Sequence, residues 1–286
     1  MLRDQIRQIV EANPDYAAIT PVIEKEILHH DVLSVMVEYG AMERLTFIGG
    51  TSLRLCFNSA RLSEDLDFNA GHDFKPSDLS GLALDLEQFI TSKYETGVRV
   101  NQPSEVRQGD TVSWTLSIEK EPNRPDIPRQ KIHIDVCAIP SFDVEKRPLM
   151  NHYQLNVPTD GLLIPVQSLD EALVDKLIAF AFRARRIKPR DVWDLVWIQQ
   201  RGIELSHHLL AQKLDARGVK VGDFHEALAV QLEQLLHHEQ VHVDFQMEMS
   251  RFIAKTMRER TIDKPEYWAY VQAEVERVVQ SIIRSH

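Results

Sequence analysis

The sequence of 286 residues is poor in cysteine, has no surplus of basic residues and contains no long apolar run. Its two cysteines, Cys56 and Cys137, lie far apart, which excludes a disulfide framework and predicts a reducing, cytoplasmic location. The formal net charge of −10 argues against a protein that coats nucleic acid nonspecifically, although it leaves room for a local basic patch. No apolar run approaches the roughly 20 residues that cross a bilayer, and the amino terminus lacks a signal-like pattern, so we expect no membrane insertion.

A hydrophobic content of 43% is enough for a packed core. Between Thr20 and Gly40 apolar residues recur at helical spacing, which predicts an amphipathic helix with Pro21 in its first turn. Next, "RLTFI" predicts a short buried strand that leads into two glycines, after which "TSLRLCF" resumes a helical pattern. The segments "EDLDFNA", "TVSWTLSIE" and "KIHIDVCAI" alternate with a period of two, which predicts three strands of one sheet. Between the last two, "KEPNRPDIPRQ" is typical of an exposed connection.

After about Pro165 the sequence changes to long helical patterns. Ser168 and Glu171 have the spacing of a capping box and predict a helix of about five turns. Pro189 ends this helix and begins the next one, which Gly202 stops. We therefore predict an α+β protein, with a mixed-sheet core over residues 1–160 and a mostly helical domain over 161–286.

Two aspartates, Asp65 and Asp67, flank Leu66, so on a strand both carboxylates project from one face while Leu66 and Phe68 face the core. Carboxylates this close repel each other unless a cation lies between them. Mg²⁺ favours such oxygen ligands and keeps waters and substrate phosphates in its remaining positions. Asp135 lies on the polar face of its own predicted strand and supplies a third carboxylate if the strands are neighbours, enough for a two-metal site. Alone, Asp135 is equally compatible with a surface charge.

The glycine pair Gly49 and Gly50 lets the backbone approach an anion closely, and the following helix offers unpaired amides at the positive end of its dipole. Thr51 and Ser52 add hydroxyl groups. A glycine pair by itself is most often only a turn, and an isolated D-x-D is often a solvated edge. Their combination indicates a phosphate-binding turn beside a metal pair, the arrangement that suits phosphoryl or nucleotidyl transfer.

The run "FIGGTSLRL" followed by "RLSEDLDF" resembles the signature of the AbiEii/AbiGii toxin family, a branch of the polymerase-beta-type nucleotidyltransferase superfamily. The segments "EKEILHHDVL" and "DKLIAFAFRARRIKPRDVWDL" are similar to the family as well, so the resemblance extends over residues 20–200. It implies a polymerase-beta-type nucleotidyltransferase core and a bacterial toxin of a toxin-antitoxin, or abortive infection, system. Such a toxin transfers nucleotides from an NTP to an acceptor, with tRNA 3′ ends as the expected acceptor and a cognate antitoxin encoded nearby.

The downstream segment contains two further candidates, Lys176 and Asp191. On a helix from Ser168, Lys176 lies on the apolar stripe, where a cation is unfavourable unless it has a partner or lines a cleft. The resemblance places both residues among the functional positions. Asp191 keeps a structural alternative, because the helix dipole alone favours an acid in a first turn, and we interpret Asp194 as structural.

A basic cluster surrounds the break between these two helices in an otherwise acidic chain. A run of charge is usually a solvated face, but beside the predicted site it is equally suited to holding a triphosphate or an RNA backbone. Arg190 is the member that we predict to bind nucleotide. The cluster consists of Arg183, Arg185, Arg186, Lys188 and Arg190.

Together these features give one hypothesis. Asp65 and Asp67 bind two Mg²⁺ ions, with Mn²⁺ as an alternative metal, and Asp135 completes the site and helps to deprotonate the acceptor hydroxyl. Lys176 holds phosphates, in a helical region that closes one side of the cleft. This hypothesis requires Asp135 and Lys176 to converge on one point.

Three alternatives remain open. The enzyme could modify a small molecule or a protein hydroxyl instead of RNA. The chain could be a catalytically silent binding module, in which case Asp65→Ala leaves its function untouched. Finally, "HEQVH", from His238 to His242, matches the H-E-x-x-H pattern of zinc hydrolases, with Glu239 as general base. The overlapping "VHVDF" is β-branched and alternating, which favours a strand and argues against zinc.

Overall fold

A computed structural model describes residues 2–103, 110–121, 124 and 126–284, so the predicted exposed connection lies partly outside the described residues. The chain divides into two compact units, Met1–Gln167 and Ser168–His286. The boundary between the units lies a few residues after the predicted one between residues 160 and 161. The reason is that the strand Leu163–Gln167 belongs to the sheet of the first unit.

The first unit contains a mixed seven-stranded sheet. Its strands are β1 Thr46–Ile48, β2 Leu66–Asn69, β3 Val98–Asn101, β4 Thr111–Ile118, β5 Gln130–Cys137, β6 Val144–Pro148 and β7 Leu163–Gln167. Their order across the sheet is β3-β4-β5-β2-β1-β7-β6. β2 pairs with β5 and β1 pairs with β7 in parallel, whereas the other neighbours are antiparallel. The prediction that the three alternating segments share one sheet is confirmed, since they are β2, β4 and β5.

The alternation of residues along these strands separates a buried face from a polar one. Leu66, Phe68, Ile134 and Val136 are fully buried and form part of the core. Between them, residues such as Asp135 project from the opposite face and are only half-buried. The sequence pattern of period two therefore gives the sheet one polar face, on which Asp67 and Asp135 lie.

In the described residues of the first unit, the α-helices that accompany this sheet are α1 Leu2–Ala12, α2 Thr20–Glu38, α3 Gly49–Phe57 and α4 Leu82–Tyr94. α2 has Pro21 in its first turn, as predicted. The prediction of a one-sided amphipathic helix was wrong, because every residue from 26 to 36 is buried. α2 can be buried on all sides because its polar side chains have partners within the unit. Glu26, for example, pairs with the buried Arg54, with a distance of 3.0 Å between Oε2 and Nε.

The second unit is helical in its described residues. Its helices are α5 Leu169–Ala181, α6 Pro189–Gln199, α7 His207–Ala216, α8 Val221–His237, α9 Glu239–Met249, α10 Lys255–Arg260 and α11 Pro265–Arg284. Ser168 caps α5 as predicted, its Oγ accepting a hydrogen bond of 3.1 Å from the Glu171 amide. Pro189 lies in the first turn of α6, and Gly202 follows this helix with a φ of +73°. In the described parts of the chain we find no helix with the length and apolar character needed to cross a bilayer.

Two local predictions for this unit were wrong. α5 has 13 residues and is therefore shorter than the predicted five turns. The arginines after Ala181 lie outside the helix and form ion pairs elsewhere in the unit. The β-branched "VHVDF" lies in α9 and not in a strand. Its Phe245 packs against Trp268 with ring centroids 5.1 Å apart, so a tertiary contact outweighs local β-propensity.

Candidate active site

Two of the predicted carboxylates lie side by side on the sheet. Asp67 of β2 and Asp135 of β5 are register partners in a parallel pair, so their side chains project from the same face of neighbouring strands. Such strands lie about 4.8 Å apart, which brings the two half-buried carboxylates within reach of one cation. The condition under which Asp135 could supply a further carboxylate, that its strand is a neighbour of β2, is met.

Asp65 is positioned differently from the prediction, because β2 begins at Leu66 and Asp65 precedes the strand. Because Asp65 has no hydrogen bonds of a strand ladder, two other elements fix its position. Its Oδ1 accepts a hydrogen bond of 3.2 Å from the His133 amide on β5, and its carbonyl oxygen accepts one of 2.5 Å from the Thr51 hydroxyl on α3. Asp65 is therefore attached to the same part of the sheet as Asp135 by contacts that the alternating pattern does not predict.

Gly49 brings the turn and the carboxylates into direct contact. Its φ of +78° lies in the left-handed region that favours glycine. A Cβ added at this position would lie 2.3 Å from Oδ2 of Asp67, well inside van der Waals contact. The Asp67 carboxylate thus rests against the backbone at the start of α3, where only glycine leaves room for it.

The second glycine of the turn faces a buried cation that no sequence pattern predicted. A Cβ on Gly50 would lie 2.1 Å from Nη2 of Arg61, whose side chain is almost completely buried. Nη1 of Arg61 donates a hydrogen bond of 2.8 Å to the Leu62 carbonyl oxygen. The only signal in the sequence was an arginine four residues before the first aspartate of the D-x-D pair.

The hydroxyl groups predicted to bind phosphate are engaged with the backbone. The Thr51 hydroxyl donates to the Asp65 carbonyl oxygen, and the Ser52 hydroxyl donates a hydrogen bond of 2.9 Å to the Gly49 carbonyl oxygen. Both side chains are buried. The first-turn amides of α3, which have no acceptor within the helix, are the better candidates for contact with an anion. The role of the two hydroxyls in phosphate binding stays a prediction.

The residues of this site suit a divalent cation by their chemistry. Asp67 and Asp135 offer hard carboxylate oxygens on neighbouring strands, the ligand type that Mg²⁺ prefers. Among the residues that the structure describes, no group of three or more His, Cys, Asp or Glu side chains is gathered around one point as for a metal ion.

The second unit contains the other predicted group, centred on Lys176. Its Nζ lies 3.2 Å from Oδ1 of Asp191 and 2.8 Å from Oδ2 of Asp194. Arg183 reaches the other oxygen of Asp191, with a distance of 2.7 Å between Nη2 and Oδ2. The cation on the apolar stripe of α5 is therefore paired, and Asp191 lies between two cations. Arg183 is the partner of Asp191 that the sequence did not identify.

This arrangement changes the acidity of Asp191. Burial alone would raise the pKa of its carboxyl group, but the neighbouring Lys176 and Arg183 lower it to about 2 from an ordinary value of 3.8. Asp194 is completely buried and pairs with the same lysine, which agrees with its interpretation as structural. Each unit thus holds one group of the predicted site residues, the carboxylates in the first and Lys176, Asp191 and Arg190 in the second.

Replacing Asp191 with asparagine should reduce stability in a pH-dependent way. The unfolded chain protonates this carboxyl group near pH 3.8 and the folded chain only near pH 2, so its contribution is complete above about pH 4 and is lost as the pH falls toward 2. We expect Asp191→Asn to lose about 1.5–3 kcal/mol at neutral pH, the range for hydrogen bonds to charged groups. Urea unfolding at a series of pH values would measure the difference between variant and wild type, which should shrink below pH 4.

The control for this prediction is Asp215→Asn, because Asp215 is exposed on α7 in the same unit. Its free energy of unfolding should follow the wild-type curve at every pH. A difference between Asp191→Asn and wild type that persists unchanged at pH 2 would contradict the assigned ion pairs.

The basic cluster is only partly available for an anion. Arg190 donates from Nε to Glu248 at 3.2 Å and stacks over the Phe252 ring at 4.8 Å, so its predicted role in nucleotide binding would require it to share these contacts. Arg186 also pairs with Glu248, at 3.3 Å. Burial lowers the pKa of the Lys188 ammonium group, the neighbouring Arg183 lowers it further, and Asp191 partly offsets both effects.

The H-E-x-x-H alternative lacks the geometry of a zinc site. His238 is the extended residue that precedes α9, whereas His242 lies within the helix, so the two imidazoles do not share one helical face. The ring of His242 stacks on that of Trp268 at 4.9 Å and 9°. This part of the chain therefore packs as an ordinary helix, and the zinc hydrolase alternative has no structural support.

Comparison with known proteins identifies the family. A family model described as "Nucleotidyl transferase AbiEii toxin, Type IV TA system" matches residues 31–273. The chain belongs to the AbiEii family. As an AbiEii member it is a nucleotidyltransferase toxin of a type IV toxin-antitoxin system, with an NTP as substrate and a cognate antitoxin. The predicted resemblance is confirmed, and it extends well beyond residue 200.

The solved structure of MenT4 agrees with this assignment at the level of the fold. MenT4, a nucleotidyltransferase toxin from Mycobacterium tuberculosis H37Rv, is similar with a TM-score of 0.51 at 16% sequence identity, covering 100% of this chain and 98% of that one. JHP933 from Helicobacter pylori gives a TM-score of 0.46 at 14% identity, covering 92% of each chain. A search of curated proteins finds no match. The similarity to MenT4 confirms the predicted α+β nucleotidyltransferase fold.

Proposed function

We propose that this AbiEii protein transfers nucleotides from an NTP to RNA in a reaction that depends on Mg²⁺, with tRNA 3′ ends as acceptor and the cytoplasm as its location. The observation that supports this most strongly is the pairing of Asp67 with Asp135 on neighbouring strands, with Asp67 directly against the Gly49 turn. A carboxylate pair beside a turn rich in amide donors suits a substrate that is both a metal ligand and a phosphate ester. Blocking the 3′ end of tRNA would stop translation, which accounts for toxicity.

In this proposal Asp67 and Asp135 are the principal metal ligands, and Asp65 joins them. Bound Mg²⁺ or Mn²⁺ ions would activate the acceptor hydroxyl and neutralise charge on the leaving phosphate. Asp135 would accept the proton of that hydroxyl. The amides at the start of α3 would orient the phosphates, and the buried Arg61 beside Gly50 would add positive charge to that turn.

We assign the residues around Lys176 to the phosphates of the NTP. Lys176 and Arg183 both contact Asp191, which holds their charged groups in fixed positions before any ligand binds. Positioned cations of this kind stabilise the charge that develops on a transferring nucleotide. Burial is the main cause of the lowered pKa of Lys188, and the positive charge of Arg183 adds to it, so a bound anion would reduce the repulsion between these two cations.

The test is a labelling assay with purified protein. Each of the four NTPs, labelled at the α-phosphate, would be incubated with Mg²⁺ and total RNA, with EDTA as the metal-free control. We expect label from one or more NTPs in the tRNA fraction, at the 3′ end after RNase mapping, and none with EDTA. Label in protein or in a small molecule would instead identify the alternative acceptors. No transfer from any NTP would overturn the RNA proposal.

A further inference from the structure

Two residues of the buried helix α2 hold the residue that precedes Asp65. Lys25 and His29 are one turn apart on α2. Lys25 donates from Nζ to Oε1 of Glu64 at 3.1 Å, and Nε2 of His29 lies 3.1 Å from the Glu64 carbonyl oxygen. One face of α2 therefore contacts both the side chain and the backbone of Glu64.

The hydrogen bond of His29 has a defined direction. A carbonyl oxygen can only accept, so Nε2 of His29 must carry the hydrogen. Burial lowers the pKa of this imidazole to about 4, so the ring is neutral at physiological pH and Nδ1 carries none. Nδ1 is buried and has no hydrogen-bond partner among the described residues. A fully buried imidazole with an unsatisfied nitrogen is unfavourable, and its one hydrogen bond is made to Glu64.

That hydrogen bond acts on Asp65 through the peptide plane. The Glu64 carbonyl and the Asp65 amide belong to one planar group, so fixing the carbonyl fixes the direction in which Asp65 leaves it. This constraint matters for Asp65 because the residue precedes β2 and is not held by the hydrogen bonds of that strand. With His29 before it, Thr51 on its carbonyl oxygen and the His133 amide on its carboxylate, Asp65 is held from three elements.

We propose that His29 is a positioning residue for the metal site, which orients the peptide before Asp65 and, supported by Lys25, presents the Asp65 carboxylate to the divalent cation. This inference rests on the proposed role of Asp65 as a metal ligand. It predicts that His29 acts on metal affinity although it touches neither the metal nor the substrate.

The experiment compares Mn²⁺ binding by four variants of the full chain, one of them Asp65→Asn, with free Mn²⁺ measured by EPR and no nucleotide present. His29→Leu removes the donor. His29→Gln places an amide donor the same number of bonds from Cβ as Nε2. His30→Leu is the matched control, since His30 is the next residue of α2, is equally buried, and contacts the Thr159 hydroxyl at 2.5 Å.

We expect His29→Leu to weaken Mn²⁺ binding about tenfold or more, the usual effect of losing an outer-shell partner. His29→Gln should restore binding to within about twofold of wild type, and His30→Leu should change it no more than that, although both leucine variants lower the melting temperature. Wild-type binding in a folded His29→Leu, or an equal loss in His30→Leu, would overturn the positioning role alone. If the wild type binds no Mn²⁺, or Asp65→Asn binds it normally, the proposed metal ligand itself is overturned and the inference falls with it.

Discussion

Asp67→Asn is expected to reduce nucleotidyl transfer about a thousandfold, which at about 1.4 kcal/mol per factor of ten corresponds to several kcal/mol of lost transition-state stabilisation. The substitution removes one negative charge from the carboxylate pair and keeps the shape of the side chain. Asp67 is half-buried, so the free energy of unfolding should change by about 1 kcal/mol or less. The assay is the initial rate of label transfer, with urea unfolding as the measure of stability. Expression of this variant should also no longer arrest growth.

Asp135→Asn provides an internal check, because Asp135 is the register partner of Asp67. If both carboxylates hold the same metal, each single variant should lose nearly as much activity as the double variant. Additive losses would show that they act separately. Asp85→Asn, at an exposed position of α4, is the matched control and should retain wild-type activity and growth arrest. Normal transfer by Asp67→Asn would contradict the proposed site.

The parts of the site that could be predicted follow from short-range rules. Residues on a strand alternate between two faces, so the polar face of Asp67 and that of Asp135 could be read from their neighbours. Whether the two strands are adjacent depends on the topology of the sheet, and no local pattern determines it. The sequence therefore left Asp135 open between a ligand and a surface charge, and the register of β2 with β5 places it beside Asp67.

The residues that the sequence did not identify are buried polar groups with distant partners. His29 and Arg61 looked ordinary because each forms its contact with a residue or turn that only the fold brings near. The same reason explains the error for α2, whose polar residues suggested an exposed face. A hydrophobic pattern shows which residues are polar, but it does not show which of them have hydrogen-bond or ion-pair partners in the protein interior.

In the helical unit the predicted starts of α5 and α6 agree with the structure, whereas the predicted length of α5 was wrong. Capping by Ser168 and the start of α6 at Pro189 are local effects, and both agree with the structure. Beyond the end of α5, Arg183 pairs with the buried Asp191 of α6 at 2.7 Å. Helix ends decided by tertiary ion pairs cannot be derived from propensity.

Gly49→Ala should remove activity by displacing the Asp67 carboxylate, although the substitution leaves the chemistry of that carboxylate unchanged. The new methyl group would lie 2.3 Å from Oδ2 of Asp67, so either the carboxylate or the turn must move. A displacement of about 1 Å at a reacting centre costs on the order of a hundredfold in rate. The variant also places alanine at a φ of +78°, which destabilises the fold by about 1–2 kcal/mol independently of the contact with Asp67.

Gly161→Ala separates these two effects. Gly161 has a φ of +77°, but a Cβ there would meet nothing within 4 Å. It should therefore lose a similar free energy of unfolding from backbone strain alone and keep wild-type transfer. Gly49→Ala should lose additional stability, by about 1–3 kcal/mol if the turn cannot relax around the extra methyl group. Equal activity in the two variants, measured at a temperature where both are folded, would show that the turn does not position Asp67. Because only one of these glycines touches a carboxylate, the comparison tests the contact itself.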